Sequence, residues 1–160
     1  METVLTNLFE ELGAAAKQAQ ESGDNCIFDD RAYENAYLFS LFPFSDVLSK
    51  IINLVESFPE VDYGGSGVLG GFIEEHHPSK YAQALMDSLS RQPNEYFIGL
   101  LNVLVMDNDF QDGRRLPGLE FLREFHDCLR KVISDSKASQ SCKEYAEDCL
   151  NGLLERVVIN

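Results

Sequence analysis

The chain has 160 residues, 44% of them hydrophobic and 11% aromatic; that is the size and composition of one folded domain and excludes an intrinsically disordered chain. Its 13 basic and 27 acidic residues give a formal net charge of −14 and a pI near 4.4. Such a balance argues against nucleic acid and anionic membrane surfaces as partners, because both are bound through Lys and Arg, and favours a basic protein.

In chain order, Leu5, Leu8, Phe9, Leu12 and Ala16 fall at spacings of three and four and predict a first helix ending near Ser22 and Gly23. After the turn Gly23-Asp24-Asn25, Asp29 or Asp30 is expected to cap a second helix carrying Tyr33, Ala36, Tyr37 and Phe39. Pro43 stops it, and Val47, Leu48, Ile51, Ile52, Val55 and Phe58 mark a third that ends at Pro59. The glycine-rich stretch 61–67 reads as a linker and a possible hinge. Val68, Leu69, Phe72 and Ile73 then form a short helix up to His76-His77-Pro78. Tyr81, Ala82, Leu85, Met86 and Leu89 give an amphipathic stripe reaching Arg91. The segment 96–106 is apolar nearly all round, which marks a central, buried helix. Two more helices follow, one from Leu119 to Ile133 and one from about Ala138 through Val157. No segment alternates like a strand. The expected architecture is all-α: a single domain over 1–160, with about eight short helices in antiparallel hairpins, as an irregular bundle or a loosely HEAT-like stack.

The first seventeen residues, METVLTNLFEELGAAAK, carry acids where a signal peptide needs positive charge. No run approaches the roughly 20 apolar residues that span a bilayer. A cytoplasmic location with reduced thiols is therefore expected. Cys26, Cys128, Cys142 and Cys149 lack CxxC spacing and read as buried small hydrophobes.

Several motifs invite a chemical reading that their spacing does not sustain. Glu74-Glu75-His76-His77 resembles a ligand cluster, but consecutive helical residues point about 100° apart and do not converge on one ion. The acidic loop 107–113 begins like a calcium loop at Asp107. The position that requires Gly is occupied by Asp112 and the one that requires Glu by Gly118. His126 lies between Phe125 and Leu129 and reads as a satisfied, partly buried side chain. The run Gly64-Gly65-Ser66-Gly67 fits neither GxGxxG nor a P-loop. No metal, cofactor or catalytic residue is expected, and the chain reads as a binding protein.

One block carries a resemblance. Gly67-Val68-Leu69-Gly70-Gly71-Phe72-Ile73-Glu74, then Tyr81-x3-Leu85-x2-Ser88-Leu89-x-Arg91-x-Pro93, then Leu100-Leu101-Asn102, resembles the core of helical immunity proteins. Those proteins neutralise bacterial polymorphic toxins, including toxins of contact-dependent growth inhibition systems. Val103 stands where that pattern has Arg. The similarity spans 67–102, and Asn102 is expected to hydrogen-bond a neighbouring loop. The resemblance implies a cytoplasmic, non-enzymatic inhibitor that binds a cognate toxin domain stoichiometrically, and the acidic charge points to a basic nuclease as that domain. The alternative is an acidic helical adaptor or scaffold domain that binds a basic protein or peptide. Partner contact is expected at Glu56, Glu60, Asp62, Glu74 and Glu75 around the linker, and at Asp107, Asp109 and Asp112 in the later loop. Tyr63 and Phe110 are the expected aromatic anchors.

Overall fold

The computed structural model describes residues 2–64, 67–106 and 118–159. Among them the fold is all-α, with eight α-helices, two 3-10 helices and no strand. No described helix is long and apolar enough to cross a membrane. The chain groups into two compact units, Met1–His76 and His77–Asn160.

The first unit holds α1 (Glu2–Ser22), α2 (Cys26–Asn35), a 3-10 helix (Ala36–Leu41), α3 (Phe44–Ser57) and α4 (Gly67–Glu74). Helix α1 buries Leu5, Leu8, Phe9, Leu12, Ala15, Ala16 and Ala19, one stripe at helical spacing. Gly23 ends it with φ of 75° and donates its N–H to the Ala19 carbonyl at 2.8 Å, the left-handed stop that glycine allows. Helix α2 begins earlier than expected. The Asp24 carboxylate accepts from the Cys26 N–H at 3.1 Å, so the turn itself supplies the start and Asp29 lies within the helix. Helix α3 buries Val47, Leu48, Ile51, Ile52, Leu54 and Val55, each worth about 1.5–3 kcal/mol when fully removed from water.

A chain of rings ties these helices together. Phe9 stacks on Phe39 at 5.7 Å, Phe39 meets Phe72 edge-on at 5.4 Å, and Phe72 lies 5.7 Å from Phe44. His76 closes the series, stacked on Phe44 with centroids 3.9 Å apart. Aromatic pairs of this kind add about 0.5–1.5 kcal/mol beyond the area they bury.

The second unit holds a 3-10 turn (Pro78–Lys80), α5 (Ala82–Arg91), α6 (Glu95–Met106), α7 (Gly118–Ser134) and α8 (Gln140–Ile159). Helix α6 buries Tyr96, Phe97, Ile98, Leu100, Leu101, Leu104 and Val105, but Val103 and Met106 are exposed, so it is not buried all round as its apolar pattern suggested. Helix α7 packs along α8, offering Phe121, Phe125, Leu129 and Val132, while α8 buries Cys142, Ala146, Cys149 and Leu153. Gly99 permits the approach of α6 and α8, since a Cβ there would stand 3.3 Å from the Tyr145 hydroxyl. Burial pushes that phenol up to about 12, and its hydrogen bond to Cys149 adds to the shift.

Candidate functional site

Between α2 with its 3-10 continuation and α4, the first unit has an open groove of about 780 Å³. Two tyrosines form one wall. Tyr33 and Tyr37 lie four residues apart, one helical turn, and are 80% and 70% exposed. Helix α2 turns Phe28 and Ala32 inward, and the 3-10 stretch then turns Phe39 inward; both tyrosines are left on the solvent side. Their spacing in the sequence marks the second helix and does not tell which way they face. Phe39 and Phe72 line the groove from the core side.

The opposite wall is made largely of glycine. Gly64, Gly67 and Gly71 all line the groove. A Cβ at Gly67 or Gly71 would meet nothing within 4 Å, so their missing side chains are open space in the groove. Gly64 has φ of 79°, a conformation that L side chains avoid, and the Asp62 carboxylate fixes it by accepting the Gly64 N–H at 2.8 Å.

Carboxylates set the electrostatics. Asp29 and Glu75 line the groove. Asp29 is held above the usual carboxylate range by partial desolvation, then by the nearby charges of Asp62 and Asp30. The cation carried by α2, Arg31, points to Glu11 at 3.9 Å and does not line the groove. The first unit as a whole holds 14 acidic and 3 basic side chains, a net −11 of the chain's −14.

Of the residues expected to meet a partner, Glu75 lines this groove, and Asp62 adjoins it through its bond to the lining Gly64. Glu60 and Glu74 are exposed and Glu56 is half-buried, but none of the three lines it. Burial also raises the Glu74 carboxyl. Tyr63 corrects the expectation of an exposed anchor: it is 2% exposed, packs edge-on against Phe28 at 5.0 Å, and donates its hydroxyl to the Phe58 carbonyl at 2.7 Å. Its role is to pin the segment after α3 to the core. Asp107, Asp109, Phe110 and Asp112 lie outside the described residues.

The histidine pair separates as helical geometry requires. His76 Nδ1 turns back to the Phe72 carbonyl at 3.0 Å, whereas His77 Nδ1 accepts the Ser79 N–H and caps the next turn. Among the described residues no group of three or more His, Cys, Asp or Glu could hold a metal ion.

In the second unit, a smaller groove of about 490 Å³ separates α5 from α7. Asp87, Asp127 and Asp135 line it with Lys131 and the thiol of Cys128, which burial pushes up to about 11. Cys142 and Cys149 are buried as expected, Cys128 is half-buried, and Cys26 is exposed. His126 is half-buried on α7, its Nδ1 3.4 Å from the Asp127 carboxylate. Within the block of resemblance, Ser88 is fully buried. Among the described residues the buried Asn102 Oδ1 has no hydrogen-bond partner; the loop 107–117 that follows its helix lies outside them.

Comparison with known proteins finds no matching family model, no matching curated protein and no matching solved structure.

Proposed function

We propose that this chain is a cytoplasmic immunity protein that binds a basic toxin domain, of the nuclease kind, and neutralises it by occupancy and not by chemistry. The observation that carries the reading is the tyrosine-walled groove of the first unit, lined by Asp29 and Glu75, with Asp62 bonded to the lining Gly64 and its charge acting on Asp29. Exposed aromatic side chains supply most of the energy in protein interfaces, and an acidic surround speeds the approach of a basic partner while rejecting acidic ones. A toxin that cleaves nucleic acid carries the positive charge needed to hold phosphates, so the charge of this unit complements it. An inhibitor acting this way needs no catalytic group of its own. The resemblance over 67–102 supports the same assignment, and its first part, 67–74, is α4 itself, one wall of the groove.

Growth rescue tests the proposal. In bacterial cells expressing the C-terminal domain of a large toxin gene lying directly upstream of this one, co-expression of the chain should restore growth, and the two should purify as a one-to-one complex. Absence of such a gene, or of protection, refutes the assignment. The variant Asp29→Lys/Asp62→Lys/Glu75→Lys should slow association about tenfold or more at low salt, with the difference shrinking as salt rises. An adaptor for a basic peptide would show the same salt dependence, and growth protection separates the two.

A further inference from the structure

We propose that the groove of the first unit receives an arginine side chain of the partner, together with the residues that flank it. The inference rests on the reading of the chain as a binder of a basic protein, and it specifies what the groove grips.

The Asp29 carboxylate lines the groove and is partly desolvated; this burial and the charges of Asp62 and Asp30 raise its pKa. No cation among the described residues is placed to relieve it, since Arg31 is turned to Glu11. Beside it stand two exposed phenol rings one helical turn apart. Of the two natural cationic side chains, arginine matches both features at once. Its planar guanidinium donates two parallel hydrogen bonds to a carboxylate and stacks on an aromatic face, whereas an ammonium is a compact, strongly hydrated point charge. At about 780 Å³ the space falls in the range of ligand-sized sites and exceeds one side chain, so adjoining residues of the partner enter too. Gly67 and Gly71 keep that volume open, because nothing else fills the space their Cβ atoms would take.

The probe is the peptide acetyl-Gly-Gly-Arg-Gly-Gly-amide, titrated at physiological salt into the 15N-labelled full chain and followed by amide chemical shifts. Shifts should concentrate at residues 29–40, 62–64 and 67–75. A citrulline peptide, equal in shape but uncharged, should give none, and a lysine peptide should bind several-fold more weakly. Gly71→Leu fills the groove from a helical position with open space at its Cβ, and should weaken binding about tenfold or more while leaving the thermal midpoint unchanged. Should Gly71→Leu fail to fold, Tyr33→Ala, at an 80% exposed position, tests the same groove and should weaken binding comparably. Shifts scattered over carboxylates of both units would overturn the proposal, as would equal binding of citrulline or undiminished binding by a folded variant. Growth protection without a groove response refutes this inference alone. A groove response without growth protection refutes the toxin assignment and leaves the arginine site standing.

Discussion

Asn94 is the polar side chain on which the start of α6 depends. It is 1% exposed, its Oδ1 accepts the Phe97 N–H at 2.8 Å, and its Nδ2 donates to the Gln92 carbonyl at 3.2 Å. Asn94→Ala removes an N-cap, worth about 1 kcal/mol in typical helices. Because the site is closed to water, it also strands the buried Phe97 N–H, at a further penalty of about 1–3 kcal/mol. The two effects overlap, and the combined loss should be about 2–3 kcal/mol. Asn94→Ser keeps an acceptor oxygen and should lose about 1 kcal/mol or less. Urea unfolding followed by circular dichroism at 222 nm measures both, with the m value unchanged if only stability moves. A loss below about 0.5 kcal/mol for Asn94→Ala would mean that water or another acceptor serves the Phe97 N–H, and the capping argument would fall.

Leu101, fully buried on α6, should lose about 2–5 kcal/mol on truncation to Ala in the same assay; a near-neutral result would place α6 at the periphery. The folded protein holds the Asp29 proton more tightly than the unfolded chain, because its pKa is raised. The stability this contributes is complete below the unfolded carboxylate range and is lost as pH rises through the raised value. Asp29→Asn should therefore stabilise slightly at neutral pH, by up to about 0.5 kcal/mol after solvent screening, with no gain once the carboxyl is protonated; a destabilised variant at pH 7 would contradict the repulsion. With its thiol near 11, Cys128 is on the order of 0.1% thiolate at pH 8, against about a quarter for an ordinary thiol. Higher intrinsic nucleophilicity offsets part of that, and iodoacetamide should modify Cys128 about tenfold more slowly than a free model thiol. Mass spectrometry of timed samples checks this, and an equal rate would show Cys128 to be open to solvent.

Helix positions were legible in the sequence because the apolar spacing and the prolines at 43, 59, 78 and 93 act locally. The same holds for the core of α5 and α6: Leu85, Leu89, Phe97, Leu100, Leu101 and Leu104 are all buried. What escaped the pattern was orientation among the aromatics. Tyr63, surrounded in sequence by glycine and acid, looked exposed, but the Phe58 carbonyl five residues earlier satisfies its hydroxyl and Phe28 receives its ring. Tyr33 and Tyr37 marked the second helix by their spacing, which does not tell which way they face. The inward face of α2 is set by Phe28 and Ala32, one position off the register of the two tyrosines, and the change to 3-10 geometry at Ala36 shifts the phase again. A change of helix type has no simple sequence signal, and the groove depends on it. The start of α2 was missed for a related reason, since Asp24 caps from a turn that glycine at 23 makes possible.

Helix α4 separates two kinds of constraint by its faces. Leu69, Gly70 and Ile73 are packed into the core, and changes there disturb the fold. Gly71 faces the groove with open space where a side chain would begin, and an alanine at such a helical position even gains helix propensity. One point mutation at that position therefore alters the shape of the groove with little penalty in folding. Shape at the groove and stability of the fold are thus set by different faces of one helix, so the first can change before the second has to.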